Sequence, residues 1–366
     1  MKFGVLLMRE VWNKSVELMQ ILKMIAPGTE LREGLNNVLK AKTGGLIVIG
    51  DSESVLKLVD GGFKIDQDYT PARLYELAKM DGAIVLSKDG KKILYANTQL
   101  TPDSSISTAQ TGTRHRTSER VAKQTNELVV CISQRRNVIT LFKGNISYLI
   151  KDTSQVLARA NQALQTFEKY KTTCDDVIAT LNEFEFEDIV TLENVVKALQ
   201  RAELAMRVAA EVEGYIVELG DEGRLIELQL KELSDYLEKE EKFIIKDYCK
   251  DNLKLEEVYA KLTELSRDEV VEARTLAKLL GYDSDTSLED TEVSSRGYRL
   301  LNKIPKMPTT IIDNMVNSFG NFKDIIRASI EELDDVEGIG EIRAKNIKQG
   351  LRRMQEQYLY DSRFYR

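Results

Sequence analysis

The middle of the chain, from residue 153 to 280, contains no proline and few glycines, and its apolar residues recur at helical spacing. Within residues 221–244, for example, apolar side chains recur at steps of four, three, four and seven, with Glu and Lys between them. This pattern is typical of helices with one buried face. The sequence therefore predicts an all-α spine or bundle here, which we interpret as a spacer and oligomerisation surface.

Up to about residue 150 the pattern differs, because short runs rich in β-branched residues alternate with helical stretches. Buried strands are predicted at Leu46–Ile49, Ala83–Ser87, Lys92–Ala96, Leu128–Ser133 and Asn137–Phe142. The Asp89-Gly90 pair marks a hairpin turn between the second and third of these. Helices are predicted around residues 11–24, 29–42, 70–79 and 117–125. The N-terminal part is therefore expected to be an α/β domain with a mixed sheet.

A chain of 366 residues exceeds the usual size of a single core, so we expect several domains. Residues 1–150 form the first. Residues 151–295 form the helical spine and a linker, because the polar stretch 282–295 lacks a helical or strand pattern. Residues 296–366 form a small all-α domain.

Composition limits the class of protein. Hydrophobic residues make up 42% of the chain and charged residues 30%, which excludes a disordered protein. The first apolar run stops at Met8, too short for a signal peptide, and no segment approaches the roughly 20 apolar residues that cross a bilayer. We therefore expect a cytoplasmic protein without membrane contact. Its three cysteines lack metal-ligand or disulfide spacing.

Charge is unevenly distributed along the chain. The net charge is −7, yet residues 296–366 carry 13 Lys and Arg against 10 Asp and Glu. A basic excess at this end would favour contact with nucleic acid.

The run Gly-Thr-Arg-His-Arg-Thr at 112–117 precedes a helical segment and is the strongest candidate for a ligand site. It combines backbone N–H groups, the positive end of a helix and two guanidinium forks, for which polyphosphate is the natural ligand. A solvated basic patch is the alternative interpretation. The polar residues 101–110 before it suggest a flexible approach loop. The chain has neither a Walker A motif nor a Rossmann fingerprint, so another fold would hold the nucleotide.

The tripeptide Asp81-Gly82-Ala83 at the entrance to a strand is weak evidence alone, because Asp-Gly pairs are common in turns. Combined with YANTQL at 95–100, the run at 112–117 and a strand ending in Ser133, it resembles the diadenylate cyclase domain, with motifs in the same order and at similar spacing. Over essentially its full length, the chain resembles the DNA integrity scanning proteins of that family.

The resemblance implies roles for particular residues. Asp81 would help to bind a divalent metal, Mg²⁺ or Mn²⁺, and would activate the ribose 3′-hydroxyl of ATP. His115 would be a second catalytic residue, acting either as a neutral hydrogen-bond donor or as an imidazolium. The implied ATP-binding residues are Gly82, Ala83, Leu100, Thr113, Arg114, His115, Arg116, Thr117 and Ser133.

The implied reaction suits these residue types. A 3′-hydroxyl is a poor nucleophile, so a metal and Asp81 would favour its alkoxide, while arginines offset charge on the α-phosphate and the departing pyrophosphate. One domain holds one ATP, so two domains must face each other across a two-fold axis to make cyclic di-AMP. The resemblance implies a homo-oligomer, an octamer.

Near the C-terminus, residues 333–341 (LDDVEGIGE) and the segment after them read as helix, tight hairpin and helix. Gly338 and Gly340 would let the backbone approach a phosphate closely, in a contact that is blind to base sequence. The segment resembles a helix-hairpin-helix, with Ile304–Ile326 as a degenerate partner. The resemblance implies binding of branched DNA that modulates the cyclase. The expected DNA-binding residues are Gly338, Gly340, Arg343, Lys345 and Lys348.

This module departs from the usual pattern at three positions. Ile342 stands where such motifs usually carry a basic residue, and Glu337 and Glu341 flank the hairpin. A protein–protein module therefore remains an alternative. For the whole chain, the alternatives are a DNA-structure-binding protein that senses ATP without turnover, and a nucleotidyltransferase with another second substrate.

Overall fold

The computed structural model of the protein describes residues 16 to 364, and side chains as far as residue 358. Over this range the chain divides into two compact units. One comprises the described residues up to 160 together with 215–225, and the other comprises 161–214 and the residues from 226 onward. The predicted helix at 11–24 falls partly outside the described residues.

The first unit contains one mixed sheet. Its strand order is β2-β5-β4-β1-β6-β7-β8, and β3 also pairs with β5. Strands β1 and β4 are parallel, whereas the other described pairs are antiparallel. The predicted mixed sheet is confirmed. The strands are β1 Gly45–Ile49, β2 Val59–Asp60, β3 Phe63–Asp68, β4 Ala83–Leu86, β5 Lys92–Leu100, β6 Leu128–Ser133, β7 Val138–Lys143 and β8 Ile146–Leu149.

Helices cover both faces of this sheet, which explains why every residue of β1 is buried. On one face, Val48 packs in a common core with Val121 of α5. On the other face, Ile47 approaches Val38 of α2 beside Gly45. The helices of this part are α1 Val16–Met24, α2 Glu30–Ala41, α3 Glu53–Leu56, α4 Pro71–Leu77 and α5 Thr113–Thr125.

The second unit is helical, as predicted for the middle and the C-terminal part of the chain. Three long helices of 35, 28 and 25 residues carry most of the spine: α6 Thr153–Glu187, α7 Leu192–Leu219 and α8 Arg224–Tyr248, the last two joined by a 3₁₀ turn at Gly220–Gly223. Shorter helices follow: α9 Leu255–Glu264, α10 Arg267–Val271 and α11 Ala273–Leu279.

Residues 282–295 have almost no regular structure, but backbone hydrogen bonds connect them to the spine. The Leu192 amide donates to the carbonyl of Thr291 at 2.9 Å, and the Val293 amide donates to that of Val190, also at 2.9 Å. The expected linker is thus hydrogen-bonded to the start of α7. The last helices are α12 Tyr298–Leu301, α13 Thr309–Phe319, α14 Phe322–Arg327, α15 Ile330–Asp334 and α16 Glu341–Phe364.

A buried polar network joins α12 to the spine helices. The Arg299 guanidinium contacts Glu185 of α6 at 2.6 Å and Glu240 of α8 at 3.2 Å. Both carboxylate oxygens of Asp247 accept backbone N–H groups, Oδ1 from Tyr298 at 2.7 Å and Oδ2 from Arg299 at 3.0 Å. The C-terminal helices are therefore fastened to the spine by charged hydrogen bonds as well as by apolar packing.

Candidate functional site

A pocket of about 420 Å³ opens where the start of β4 and the end of β5 meet the first turns of α5. Seven of the residues expected to bind ATP or metal contribute to its lining, although they are far apart in the sequence. The lining residues are Leu46, Asp81, Gly82, Ala83, Asn97, Thr98, Gln99, Leu100, Thr113, Arg114 and Thr117.

The backbone before β4 is held in place by β5. Gly82 has a φ of +92°, and a Cβ there would lie 2.8 Å from the backbone carbonyl carbon of Asn97, so only glycine fits. Asn97 itself has a φ of +54°, where the register between the two strands shifts. Its Nδ2 donates to the Asp81 carbonyl at 2.8 Å, and Thr98 Oγ1 donates to the Ala83 carbonyl at 3.2 Å. Asp81 is thereby fixed at the pocket.

The other wall of the pocket is the start of α5. Its N-cap is Gly112, so no N-cap side chain occupies the first-turn N–H groups, which suit an anion. Thr113 and Thr117 lie one turn apart on the face towards the pocket. Arg114 crosses Gly44, where any Cβ would overlap its guanidinium. Gly44 therefore leaves space for the arginine, a requirement that sequence reasoning missed.

His115 lies outside the lining of the pocket. It is partly buried, and its ring meets that of Phe142 edge-on, with ring centroids 6.5 Å apart and an interplanar angle of 87°. Burial, followed by the positive charges of Arg136 and Arg114, lowers the pKa of His115 below its ordinary value of 6.5. Within the described part of the chain, its Nε2 has no hydrogen-bond partner. The lowered pKa of His115 therefore favours the neutral imidazole.

Two other expected ATP ligands also lie outside the lining. Arg116 is exposed on α5. Ser133 ends β6, and its Oγ accepts the Arg136 amide at 3.2 Å, which closes the turn into β7. This turn holds Arg136 close enough to His115 to influence its charge. Sequence reasoning missed Arg136, although the Arg-Arg pair at this turn was a usable signal.

The segment between β5 and α5 was expected to be a flexible loop, and the structure shows it hydrogen-bonded to α5. Arg120 donates to the carbonyls of Ile106 at 3.0 Å and Ser104 at 2.8 Å. Lys123 donates to the carbonyl of Ser107 at 2.9 Å. The loop is therefore organised in advance by the helix that carries the phosphate-suited residues.

Three further lining residues, Asn97, Thr98 and Gln99, went unassigned in the sequence although they lie within the motif at 95–100. The bulge in β5 directs this segment to the pocket. A bulge has no periodic sequence pattern, so the role of these residues could not be predicted.

The lining also fits a divalent metal held jointly with a substrate. Among the described residues, no group of three or more His, Cys, Asp or Glu side chains is placed to hold a metal alone. Mg²⁺ usually binds through one or two carboxylates plus substrate phosphates, and Asp81 provides such a carboxylate.

A second candidate site lies at the C-terminal hairpin, residues 335–340. Gly338 has a φ of +83°, and a Cβ there would lie 2.7 Å from Ile311 Cδ1. Gly340 instead faces open space. Of the two glycines, Gly338 is required by packing, and Gly340 leaves the backbone open to a ligand.

The cationic side chains expected to bind DNA differ in their exposure and in their hydrogen-bond partners. Arg343 Nη1 donates to the Gly338 carbonyl, and Lys345 pairs with Glu341 at 2.6 Å, both on the surface. Lys348 donates to the Ile326 carbonyl at 2.6 Å, and burial lowers its pKa. Lys348 therefore contributes to the fold of the module, and its contact with DNA stays a prediction.

The degenerate partner forms a second hairpin, residues 302–308, that matches the first. Lys306, with a φ of +61°, takes the left-handed position that Gly338 holds in the other hairpin. Each half contributes a glycine that packs against an isoleucine of the other. Gly338 contacts Ile311 of α13, and a Cβ added at Gly350 of α16 would lie 3.2 Å from Ile304. The two hairpins are thus one packed unit.

The chain matches two family models. The model described as DisA bacterial checkpoint controller nucleotide-binding covers residues 32–146, and that described as DisA bacterial checkpoint controller linker region covers residues 150–289.

Curated relatives named DNA integrity scanning protein DisA match nearly the whole chain. The protein of Clostridium kluyveri is 56% identical over 96% of this chain and 99% of its own. That of Clostridium botulinum, strain Loch Maree, is 57% identical over 95% and 99%. That of Acetivibrio thermocellus is 58% identical over 96% and 98%.

The mixed sheet and helical spine, with the family model over residues 32–146 and these relatives, identify a nucleotidyltransferase of the diadenylate cyclase class. The chain belongs to the DNA integrity scanning protein family, DisA. None of the helices in the described range is both long and apolar enough to cross a bilayer.

Proposed function

We propose that the pocket between β4, β5 and α5 binds one ATP, and that two such pockets condense two ATP molecules into cyclic di-AMP with release of two pyrophosphates. The observation that supports this most is the meeting of the Asp81 carboxylate with Arg114 and the first turn of α5 around one pocket. A nucleotide bound there would meet a general base for its 3′-hydroxyl and hydrogen-bond donors for its phosphates on the same protein surface.

Each residue then has a task. Asp81 takes the proton of the 3′-hydroxyl, and that oxygen attacks the α-phosphorus of the opposite ATP. A new P–O bond forms, and the bond from the α-phosphorus to the oxygen that bridges to the β-phosphate breaks. Arg114, Thr113 and the first-turn N–H groups hold the triphosphate and the departing pyrophosphate. Gly82, Ala83 and Leu100 contact the nucleoside.

Arg116, His115 and Ser133 lie outside the lining, and we assign them to the outer phosphates, which would extend beyond it. A bound divalent metal, Mg²⁺ or Mn²⁺, supplies charge neutralisation at the phosphates and lowers the pKa of the attacking hydroxyl. The hydrogen bond from Asn97 to the Asp81 carbonyl holds the backbone that would present the carboxylate to the metal.

The proposed reaction requires two copies of the chain. One pocket of about 420 Å³ suits a single nucleotide, so each 3′-hydroxyl must reach an α-phosphate bound by another copy. The pairing is isologous, with the same surface on both sides, and a homo-oligomer such as an octamer would provide it.

Incubation of the full chain with ATP and either Mg²⁺ or Mn²⁺, followed by mass spectrometry of the products, tests this function. We expect cyclic di-AMP. The Asp81→Asn variant should lose turnover far more than ATP affinity, because the charge changes while the shape is kept. Asp51→Asn, which alters an exposed carboxylate outside the pocket, is the matched control and should retain activity. ATP binding without any product would favour the ATP-sensing alternative, and linear or mixed products would favour another second substrate.

We further propose that the two hairpins bind the DNA backbone and that branched DNA changes the cyclase rate. The open face at Gly340, the exposed Arg343 and Lys345, and the basic excess of residues 296–366 support contact with phosphates.

A further inference from the structure

A groove of about 810 Å³ runs between the hairpin 302–308 and the exposed side of α16. Its floor is apolar, with Ile304 and Ile347 buried beneath it. Its rim carries three cations, Lys306, Arg343 and Arg353, and the Glu341 carboxylate on the same rim is paired with Lys345. The groove therefore has a positive rim, which suits a polyanion.

Ile342 projects from this positive rim. It is 79% exposed, more than any other large apolar side chain in the described part of the chain. It lies in the first turn of α16, two residues after Gly340, where the backbone is open to a phosphate. If the ligand offered phosphate alone, a basic residue at this position would bind it more tightly than isoleucine. An isoleucine here therefore fits a ligand with apolar surface next to its phosphate backbone.

Nucleic acid offers apolar surface at the deoxyribose, at the thymine methyl group and at the faces of the bases. Of these, only the face of a base differs in exposure between continuous and branched DNA. In continuous duplex that face is covered by the next base pair, and exposing it requires unstacking. At a nick, a gap or the crossover of a junction the stack is already interrupted. An isoleucine can then bury its side chain against a base without the cost of separating a stacked step.

We infer that Ile342 is a wedge that contacts the uncovered face of a base pair at a break in the base stack, while the rim cations hold the flanking phosphates. This inference rests on the proposed binding of DNA by the hairpins. It assigns the preference for interrupted DNA to one side chain, whereas the phosphate contacts supply affinity for any DNA.

The test compares binding of the full chain to three DNAs of equal length and sequence at one fixed salt concentration: a continuous duplex, the same duplex with a nick, and the same duplex with a short gap. A four-way junction with matched arms is the fourth. Fluorescence anisotropy gives each affinity. For the wild type we expect tighter binding to the interrupted DNAs than to the continuous duplex.

Ile342→Ala should reduce affinity for the interrupted DNAs by roughly tenfold while leaving affinity for the continuous duplex within about twofold. Ile342→Lys should strengthen binding to continuous duplex, remove the preference, and increase the slope of log affinity against log salt by about one. Val271→Ala removes another exposed apolar side chain, 56% exposed on α10, and should change nothing.

Three results would overturn the wedge. If Ile342→Ala weakens all four DNAs equally or none of them, hairpin binding of DNA stands and the role of Ile342 fails. If Ile342→Ala disrupts the oligomer without changing the preference, the side chain is a protein contact. If the wild type binds no DNA at low salt, the proposed DNA function fails together with the wedge.

Discussion

Arg299 Nη2 lies 2.6 Å from Glu185 Oε2, and both side chains are fully buried. Arg299 also donates to Asn182 and Glu240, so a single side chain of α12 connects two helices of the spine. The proposed DNA-binding helices therefore begin at a buried ion pair.

Arg299→Ala should destabilise the chain by about 3–5 kcal/mol, because it leaves the buried Glu185 carboxylate without its counter-charge and leaves Glu240 paired with Lys303 alone. Urea unfolding followed by circular dichroism measures this. Arg352→Ala is the control, since its 2.9 Å pair with Glu356 is 81% and 64% exposed and should contribute less than about 1 kcal/mol. Equal effects of the two substitutions would contradict the buried network.

The chain has a single histidine, so NMR can follow the imidazole of His115 without assignment. We expect the pKa of His115 below 6.5, and Arg136→Ala should raise it by removal of a nearby positive charge. Because the pKa is lower in the folded than in the unfolded chain, His115 contributes stability above about pH 6.5 that is lost as pH falls through the folded pKa. A pKa at or above 6.5 would show that the ring is not buried as described.

Gly82→Ala should impair both folding and ATP binding, because a Cβ at that position meets the β5 backbone. Gly61→Ala is matched, since Gly61 also has a positive φ of +62° but faces open space. Gly61→Ala should show the left-handed strain alone, about 1–2 kcal/mol. Gly82→Ala should lose a further 1–3 kcal/mol, roughly, from overpacking. Thermal unfolding measures the stability of both variants, and ATP titration measures their affinity. Equal losses of stability in the two variants would contradict a close contact between Gly82 and β5.

Arg114→Ala should reduce ATP affinity roughly 10- to 100-fold, because a guanidinium in the lining would make charged hydrogen bonds to phosphate in the ground state. Arg116→Ala, two residues further along the same helix but exposed outside the lining, should have a smaller effect. Isothermal titration with a non-hydrolysable ATP analogue compares them. The reverse order of effects would mean that Arg116 holds the triphosphate.

Gly340→Leu should abolish the effect of DNA on the cyclase, because it fills the open space through which a phosphate would approach. The ratio of cyclic di-AMP production with and without a four-way junction should approach one. In the wild type that ratio should depart from one at low salt and return towards it as salt rises. If the junction changes the rates of the wild type and the variant alike, the effect of DNA on the cyclase does not depend on this hairpin.

Patterns in the sequence predicted the buried elements well and the exposed ones poorly. Strands β4 and β6 were found because they are continuous apolar runs. Strand β3 was missed because it lies at the edge of the sheet with exposed residues on both faces, so apolar and polar residues alternate only over the short run Phe63–Asp66. Helix α5 begins at Thr113, earlier than predicted, because the residues of its first turn are polar and line a pocket.

At the candidate sites, the motifs identified the segments but not the direction of each side chain. Residues 112–117 form one run in the sequence, yet Thr113, Arg114 and Thr117 line the pocket whereas Arg116 is exposed outside its lining. The sequence predicted the second hairpin only as a degenerate partner within Ile304–Ile326, because Lys306 takes the left-handed conformation without the glycine or asparagine that usually marks it. The partners of Arg299 come from segments more than 50 residues away, which no local pattern can relate.

The reciprocal contacts of Gly338 with Ile311 and of Gly350 with Ile304 also determine how this module can change. A larger residue at Gly338 would overlap Ile311 and one at Gly350 would crowd Ile304, whereas a smaller residue at either isoleucine would leave a cavity. Neither hairpin can therefore be transplanted alone into another scaffold. An engineer who wished to move the module, or a lineage that lost one hairpin, would have to transfer or redesign both halves together.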